Sequence, residues 1–473
     1  MADFNFKKWN LILGWLTFLI AFITYSLTVE PTVSFWDAGE YILTSSKLQV
    51  GHPPGAPFFQ MMGAFFSVFA TDPTQIGLMI NMMSATASAF TILFMFWSIV
   101  LLIKQVIKKD IKSLNGQNAA VLGAAFVGSL SFAFTDSFWF NAVETEVYAM
   151  ATLIMAVLFY LGLRWGNDMF SPRGNKWLIL ISFVVGLSFG VHFMGLLTIP
   201  AISLIYFFKN YRTVTIKNLI LANLAGIAIL LFVFKLLAPN ILRYFSALEI
   251  FFVNSVGLPF NLGSIIAFIL LVGFIYWGLN YTRKKGYVRL NTGLLCITFI
   301  VVGFSSWLML PIRANANVTV NENNPSSARE LLAYYNLEQY PKTHLFYGPQ
   351  FTDQYAGLDE NQPYIDDKPK YEKDKNAGKY VIVNDYKNGL QNYNSEHASL
   401  LPRMWSSEHA ENYMIYAGFL EFSIKPEYQM QNDLRSLVSS FRDSVSNGEV
   451  DYEDYHAFLK KYGRYIDIQK PTL

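Results

Sequence analysis

The sequence predicts an all-α polytopic membrane protein of about nine transmembrane helices with outer juxtamembrane helices, followed by a small mixed α/β extracytoplasmic domain. Three observations indicate this fold class. The 473 residues are 53% hydrophobic and only 15% charged, whereas soluble domains average about a quarter charged residues. Charged residues are scarce up to Pro311 and frequent after Arg313. Several apolar stretches also reach the length of about 20 residues that a helix needs to cross the hydrocarbon core.

Seven of these stretches each predict one transmembrane helix. The first follows the N-terminal sequence MADFNFKKWN. Because it continues for about nineteen uncharged residues, it is too long for the core of a cleavable signal peptide, and we expect a retained membrane helix. The seven stretches are residues 11–29, 78–103, 119–134, 147–163, 219–237, 261–281 and 291–310.

An eighth stretch, residues 177–208, is too long for one upright helix and too short for two full ones. It carries three glycines and His192 near its middle, which predicts a hairpin of two short helices that turns near His192. With the N-terminus in the cytoplasm, this hairpin places most basic residues in cytoplasmic loops, whereas a single helix would put the Arg283 cluster outside. The cytoplasmic residues are then Lys104, Lys108, Lys109, Lys112, Arg164, Arg173, Lys176, Lys209, Arg212, Lys217, Arg283, Lys284, Lys285 and Arg289.

The remaining segments are expected on the outer side of the membrane. The apolar segment 58–70 is short and predicts a re-entrant or interfacial helix. Residues 1–312 are therefore predicted to form the membrane domain and residues 313–473 the extracytoplasmic region. The sequence ends at QKPTL without a closing element, which predicts that this region is a piece of a longer one.

Local patterns predict four elements in the extracytoplasmic region. SARE at 327–330 is a capping box that opens a helix through about residue 340, and KYVIVN at 379–384 predicts a strand. Two later helices are expected at about 426–446 and 452–462. The charged segment 358–378 is predicted to be a loop.

Composition excludes two classes of protein. The net charge is only +2, and with neither a basic run nor a nucleic-acid module, a nucleic-acid partner is excluded. The single cysteine, Cys296, excludes a disulfide framework, and its apolar surroundings predict a small buried hydrophobic residue.

Candidate functional residues gather at the outer ends of the predicted spans. Ionisable residues at membrane depth are functional candidates, although those at span ends are more easily solvated. Asp37 and Glu40 stand three residues apart, on one face of a predicted helix turn, and flanking aromatic residues are expected to keep water partly away from them. Glu30 and Asp136 are interpreted as ordinary interfacial acids.

The other candidates leave two interpretations open. Glu144 and Glu146 precede a span directly, so either could be a catalytic acid or an acid favoured by the helix dipole. His52, ahead of a Pro-Pro-Gly turn, and His192, in a glycine-rich turn, could be structural or functional. Arg313 could anchor a helix end by snorkelling or bind a phosphate with its fork of donors.

Five strings together resemble a known family: FWDAGEYI, GHPPGAP, DSFWFNAVETEVYAM, GLSFGVHFMGLL and LPIRA. An acid beside an aromatic residue in the first outer loop, a Pro-rich turn and a second acidic motif resemble the GT-C superfamily of polytopic glycosyltransferases, which use sugars linked to lipid phosphates. The wording of the strings is similar to glycosyltransferase family 117, whose animal members are protein O-mannosyltransferases. The resemblance covers most of residues 10–350.

The resemblance implies roles for individual residues. Asp37 would be the catalytic acid of the first loop, with Glu40 supporting it, and Glu144 or Glu146 would be the second acid. Arg313 and His52 would lie near the donor phosphate. The resemblance further implies a polyprenyl-phosphate sugar as the donor, with mannose as the sugar, and Ser or Thr of an exported protein as the acceptor.

Glycosyl transfer of this kind makes two chemical demands. The acceptor hydroxyl must lose a proton, which the Asp37 carboxylate can take, and the departing phosphate must be stabilised, for which Arg313 is suited, with His52 or His192 assisting. A separate base implies inversion at the sugar carbon. No compact metal-ligand motif is present, so no cofactor is assigned, although the converging acids leave a divalent metal open.

Two function hypotheses follow. The favoured one is a glycosyltransferase in the inner (cytoplasmic) membrane, with a cytoplasmic N-terminus, a periplasmic C-terminal region and an active site on the extracytoplasmic face. The alternative is a transporter or scaffold that handles lipid-linked sugars without transferring them. That alternative would require charges in the middle of facing spans, whereas the acids here stand at span ends.

Overall fold

The structure is a computed structural model that describes residues 5–107, 115–211, 213–340, 344, 346–402 and 410–469. The chain forms two compact units, Met1–Gln339 and Tyr340–Leu473. The first is helical and the second contains short strands and helices, which confirms the mostly helical fold with a small strand-containing C-terminal region. Residues 313–339 belong to the first unit. The predicted end of the membrane region after residue 312 is a different boundary, and it stays a prediction. Lys108, Lys109, Lys112, Arg212 and the last residues, 470–473, lie outside the described residues.

Fifteen α-helices make up the described part of the first unit, with one central apolar core and two smaller ones. The helices are α1 (Phe6–Leu27), α2 (Ala38–Ser46), α3 (Pro57–Ser67), α4 (Ile76–Ile107), α5 (Asn115–Ala133), α6 (Asp136–Ala142), α7 (Val147–Asp168), α8 (Asn175–Ser188), α9 (Thr198–Asn210), α10 (Ile216–Leu231), α11 (Ala238–Asn254), α12 (Leu262–Lys284), α13 (Val288–Phe304), α14 (Met309–Asn315) and α15 (Ala328–Tyr335).

Each of the seven predicted single spans coincides with a helix, and the short segment 58–70 with α3. Among the described residues, seven helical stretches are long and apolar enough to cross a membrane, or eight if α5 and α6 form one span. The helices α5 and α6 meet at a bend of 69°, and α8 has only 14 residues. The exact count of nine spans therefore stays a prediction.

The predicted break of residues 177–208 is confirmed, because α8 ends at Ser188 and α9 begins at Thr198, with His192 between them. The start of α7 lies against His192, where the rings of Tyr148 and His192 are 5.4 Å apart. The end of α7 contacts the start of α8, through a 2.7 Å bond from Trp177 Nε1 to Asp168. The end of α7 also lies beside the end of α9, where the Asn210 side-chain amide is 3.1 Å from Met169 Sδ. Helices α8 and α9 therefore run in opposite directions, as a hairpin requires.

Two glycines let α8 and α13 pack backbone against backbone. A Cβ atom on Gly303 would lie 2.7 Å from the backbone nitrogen of Leu187, and one on Gly186 would lie 2.9 Å from the Cα of Gly303. Real Cβ atoms essentially never come this close to other atoms. Small residues at helix crossings are typical of membrane proteins, because close approach increases van der Waals contact.

Helix α10 continues into α11 through a π-helical segment, Phe232–Leu237. The continuous stretch thus extends beyond the predicted span to Asn254. Near its end the buried Glu249 accepts hydrogen bonds of 2.6 Å from the backbone N–H groups of Asn261 and Ser264. These N–H groups stand at the start of α12 and lack helical partners, so Glu249 caps that helix.

In its described part, the second unit contains four antiparallel pairs of short strands, β1–β6, β2–β5, β3–β4 and β7–β8. Its core packs aromatic and aliphatic side chains around Tyr455. The strands are β1 (Tyr347–Pro349), β2 (Tyr364–Ile365), β3 (Lys370–Asp374), β4 (Lys379–Asn384), β5 (Leu390–Gln391), β6 (Ala398–Leu400), β7 (Phe422–Ile424) and β8 (Ile466–Ile468), and the helices are α16 (Asp353–Ala356), α17 (Ala410–Ala417), α18 (Asn432–Ser446) and α19 (Tyr452–Tyr462).

The local predictions after residue 313 are confirmed in part. The strand at 379–384 and the helix at 452–462 have the predicted bounds, but the helix near 426–446 begins only at Asn432. The predicted loop 358–378 is wrong over β2 and β3, because β3 pairs with β4 and Asp374 closes the turn between them. Ser327 precedes α15 but forms no side-chain capping bond. That helix ends before residue 340 because Leu337 is left-handed, with a φ of 56°.

Candidate active site

The first outer loop leads from α1 into α2 and presents two acids at the start of that helix. Asp37 occupies the N-cap position of α2, and Glu40 lies in its first turn, where a negative charge is favoured by the helix dipole. The predicted helix turn with both acids on one face is therefore confirmed. The Asp37 side chain is 58% exposed, whereas that of Glu40 is 26% exposed.

His52 joins these two acids. One Glu40 carboxylate oxygen accepts the backbone N–H of His52 at 2.6 Å, and the other lies 2.9 Å from His52 Nδ1. The opposite ring nitrogen, Nε2, faces an Asp37 carboxylate oxygen at 3.8 Å. Glu40 thus fixes the imidazole through one nitrogen and aims the other at Asp37.

The pairing of Glu40 with His52 shifts the pKa values of both groups. The hydrogen bond to Glu40 raises the pKa of His52 above its ordinary value, and partial burial opposes this only in part. Burial tends to raise the pKa of Glu40, but the hydrogen bonds and charge of His52 outweigh it, and the Glu40 pKa is lowered. The pair therefore favours a negatively charged carboxylate beside a positively charged imidazole.

Glu146 brings the second acidic motif to the same place. One of its carboxylate oxygens accepts the backbone N–H of Asp37 at 3.2 Å, although the two residues are 109 positions apart in the chain. Both Glu144 and Glu146 are almost fully buried. Burial, together with the charges of Asp37 and Glu144, raises the pKa of Glu146 to about 7, and burial also raises the pKa of Glu144. We call Asp37, Glu40, His52 and Glu146 the acid–histidine cluster.

Asn81, near the start of α4, holds the two loops of the cluster together. Its side-chain amide donates to the backbone carbonyls of Glu30 and Thr32 at 2.7 and 2.9 Å, and its oxygen accepts from the Thr145 hydroxyl. The prediction from sequence missed this residue. The available signal was an asparagine in the second turn of a mostly apolar helix.

Residues 320–322 and helix α15 contact the backbone that carries His52. Residues 320–322 pair with Val50, whose N–H donates to the Val320 carbonyl at 3.0 Å. The Tyr334 hydroxyl donates to the carbonyls of Gly51 and His52 at 2.5 and 3.1 Å. Glu322 comes close to the cluster in this way, and its pKa is raised by burial and by the charge of Glu40. Neither Glu322 nor Tyr334 was predicted, because their proximity depends on tertiary pairing.

The two remaining predicted residues, Arg313 and His192, form hydrogen bonds with backbone groups outside the cluster. Arg313 Nε and a terminal guanidinium nitrogen donate to the carbonyls of Leu48 and Lys47 at 2.6 and 3.0 Å, so Arg313 ties the end of α14 to the end of α2. His192 Nδ1 accepts the backbone N–H of Met194 at 3.1 Å. Their phosphate-binding roles stay predictions.

The expectation that flanking aromatic residues keep water partly away from the acids is wrong for Phe35 and Trp36, whereas Tyr41, next to Glu40, is buried, with its ring 5.8 Å from that of His52. Phe35 is 76% exposed and Trp36 is 85% exposed, because the chain turns outward before α2 begins. The Asp37 carboxylate is consequently open to a substrate.

Asp37, Glu40 and His52 can each offer one ligand atom to a metal ion, and these atoms lie within 4.8 Å of one another. Both oxygens of Glu40 already contact His52, however, so the two remaining ligand atoms of these three residues are an Asp37 carboxylate oxygen and His52 Nε2, which face each other at 3.8 Å. This donor set resembles a carboxylate that orients a histidine more than a closed cage of oxygen ligands.

The segment that contains the acid–histidine cluster matches a known family. Residues 37–215 match the model of the "Protein O-mannosyl-transferase TMEM260 N-terminal domain". The chain is thus similar to protein O-mannosyl-transferases. Residues 341–473 match a family of unknown function, DUF8416, and no solved structure matches the chain.

Two relatives have the same description. The protein O-mannosyl-transferase tmem260 of Dictyostelium discoideum is 24% identical over 245 residues, which are 48% of this chain and 28% of the relative. The protein O-mannosyl-transferase TMEM260 of Mus musculus is 24% identical over 167 residues, which are 35% of this chain and 21% of the relative. The matches thus cover less than a third of these longer proteins. Both names denote glycosyltransferases and support the predicted enzyme class.

The pKa of Glu146 predicts a pH-dependent stability. An ordinary Glu has a pKa near 4.5, and Glu146 in the folded chain has one of about 7. The stability that its protonated form contributes is therefore complete below about pH 4.5 and is lost as the pH rises to about 7, by at most about 3 kcal/mol. Thermal unfolding of the purified chain between pH 5 and 8 should show this loss, and Glu146→Gln should flatten that part of the profile. A profile unchanged by the substitution would contradict the prediction.

Proposed function

We propose that the chain is an integral-membrane glycosyltransferase of the GT-C type and of glycosyltransferase family 117, and that it transfers mannose to Ser or Thr of exported proteins. One observation carries the proposal. Asp37 presents an open carboxylate whose backbone is held by the buried Glu146 and whose side chain faces His52. This arrangement lies in the segment similar to protein O-mannosyl-transferases.

Asp37 acts as the general base in this proposal. Its carboxylate is the most exposed acid of the cluster, so it can reach an acceptor hydroxyl and remove the proton as the oxygen attacks the anomeric carbon. Glu146 is too deeply buried to touch a protein acceptor, and we assign it a positioning role through the Asp37 N–H. A separate base that assists direct displacement implies inversion at the sugar carbon.

The departing phosphate requires positive charge or hydrogen-bond donors. His52 supplies both in this proposal, because its pairing with Glu40 favours the charged imidazole and leaves Nε2 beside the exposed Asp37 carboxylate. Arg313, near the end of α14, and His192, between α8 and α9, assist in this proposal. The donor is a sugar on a polyprenyl phosphate, whose chain remains in the bilayer while its phosphate lies at the interface with the acids.

The orientation of the chain is also part of the proposal. The basic residues of the predicted cytoplasmic loops favour a cytoplasmic N-terminus and an active site on the extracytoplasmic face of the inner membrane. The acids of the cluster stand in loops and in the first turn of α2, outside the candidate spans. A transporter would instead require charges deep within facing helices.

The proposal is tested with right-side-out membrane vesicles that contain the chain. Mannose labelled on a polyprenyl phosphate is supplied in the membrane, and a Ser/Thr-rich exported protein is added outside. We expect label on the protein that alkaline β-elimination releases, and none with vesicles that lack the chain. Purified chain that binds the labelled donor yet leaves all label on the lipid would contradict the proposal and favour the scaffold alternative.

A further inference from the structure

Trp36, the residue directly before Asp37, has an unusual backbone conformation. Its φ is 60°, in the left-handed region that bulky residues rarely adopt. The turn is needed because the next N–H, that of Asp37, must point at the buried carboxylate of Glu146, which accepts it at 3.2 Å. The same turn directs the side chain of residue 36 away from the protein core.

A glycine would satisfy this turn without strain, yet the sequence has a tryptophan there. Its side chain is 85% exposed, and that of Phe35 is 76% exposed. Among the described residues, neither ring packs against another aromatic ring, and the Trp36 indole forms no hydrogen bond. Left-handed backbone also occurs at residues that only end or turn an element, such as Leu337. At Trp36 it coincides with an exposed aromatic ring directly beside the Asp37 carboxylate, and strained backbone is frequent at ligand sites, so this combination indicates a ligand outside the chain.

We propose that Trp36 is a binding residue for the pyranose ring of the donor sugar. The inference rests on the proposed function, because that function places the anomeric carbon beside the Asp37 carboxylate. Consecutive Cα atoms are about 3.8 Å apart, so the indole and the carboxylate project from neighbouring points. A pyranose has an apolar C–H face that packs on an aromatic ring, and its hydroxyls then remain free to meet the polar cluster.

A membrane anchor explains these observations less well. Tryptophan is common at membrane interfaces, but an anchor requires only an apolar side chain and gains nothing from a left-handed backbone. Exposed apolar side chains such as Val33, Phe65 and Phe69 are already present in neighbouring elements of the chain. Contact with a sugar requires a flat ring at one position, which the fixed turn before Asp37 provides.

The test compares Trp36→Ala, Trp36→Phe and Trp36→Leu in the purified 473-residue chain. Loss of one aromatic contact should raise the KM for the mannosyl donor by about tenfold in Trp36→Ala. Trp36→Phe should recover most of this loss, and Trp36→Leu should not. The inhibition constant of polyprenyl phosphate without a sugar should stay unchanged in all three variants, because the contact is with the sugar.

Several results would overturn the inference. A donor KM that is unchanged in Trp36→Ala would do so, and so would full recovery by leucine, which would indicate an apolar anchor. An equal rise in the inhibition constant of the sugar-free lipid would assign the contact to the lipid. If the wild-type chain shows no transfer, the proposed function fails, but the inference about Trp36 can still be tested. The dissociation constants of the labelled donor from the wild type and the three variants then replace the KM values.

Glycine variants separate binding from folding. Glycine adopts the left-handed conformation of residue 36 without strain. For Trp36→Gly we therefore expect an equal or higher midpoint of thermal unfolding, together with the same increase in donor KM as in Trp36→Ala. Leu337 also has a left-handed φ, of 56°, but it lies after α15. Leu337→Gly should relieve a similar strain and leave the donor KM unchanged. A lower midpoint in Trp36→Gly, with a donor KM that follows the loss of stability, would show that residue 36 is structural.

Discussion

Asp37→Asn is expected to lower the rate of mannosyl transfer by about 10²–10⁴-fold, the usual contribution of a positioned general base. The substitution removes the proton-accepting charge but keeps the size of the side chain. Its backbone N–H, which binds Glu146, is untouched. The folded chain should therefore persist, and donor binding should change little.

A matched control is available at Asp136, in the first turn of α6. This acid also stands beside an apolar helix on the predicted outer side, but it is exposed, and its side chain forms no hydrogen bond or ion pair with the described residues. Asp136→Asn should keep the wild-type rate. Initial rates of label transfer and thermal unfolding of both variants provide the comparison. Normal transfer by a folded Asp37→Asn chain would remove Asp37 from the role of base.

Gly303→Ala is expected to destabilise the membrane unit by about 3 kcal/mol, toward the upper end of the usual cost of overpacking. The new methyl group would meet the backbone of α8 rather than a flexible side chain, with the Leu187 nitrogen only 2.7 Å away. Helices α8 and α13 would have to separate. The effect should appear as a lower midpoint of thermal unfolding in detergent and a lower yield of monodisperse protein.

Gly293→Ala, in the same helix, provides the control for Gly303→Ala. A Cβ atom on Gly293 would have no neighbour within 4 Å, so the substitution tests the effect of alanine in α13 without the crossing. Its unfolding midpoint should equal or exceed that of the wild type, because alanine favours the helix. Equal midpoints for both variants would show that the crossing can relax.

The apolar helices could be predicted from the sequence because their signal is local. Each stretch needs only its own length and composition to indicate a span, and the distribution of basic residues predicted the break near His192 correctly. The facing acids Asp37 and Glu40 follow from a spacing of three residues. The predicted topology and the resemblance placed Glu146 on the same side of the membrane as Asp37 and Glu40. The sequence alone could not predict that Glu146 contacts Asp37, because it contains no distances between loops.

The missed features depend on tertiary contacts. In the sequence, Asn81 is one of several polar residues in the mostly apolar helix α4. Only the structure shows that its side-chain amide binds both loops. Strand β3 contains so many charged residues that its composition indicates a loop, but it pairs with β4 while Lys370 and Glu372 stay exposed and Lys373 and Asp374 are half-buried. The outward turn at Trp36 also reverses, for Phe35 and Trp36, the expectation that flanking aromatic residues keep water partly away from the acids.

The acid–histidine cluster depends on a part of the chain far from it in sequence. Residues 320–334 contact the backbone of Val50, Gly51 and His52. The matched family segment is residues 37–215, yet the backbone that carries His52 pairs with Val320 and is bound by Tyr334. A fragment cut at the end of the matched segment would keep every acid of the cluster and lose the support that positions its histidine. The matched segment is thus shorter than the structural unit that holds the cluster, which extends through α15.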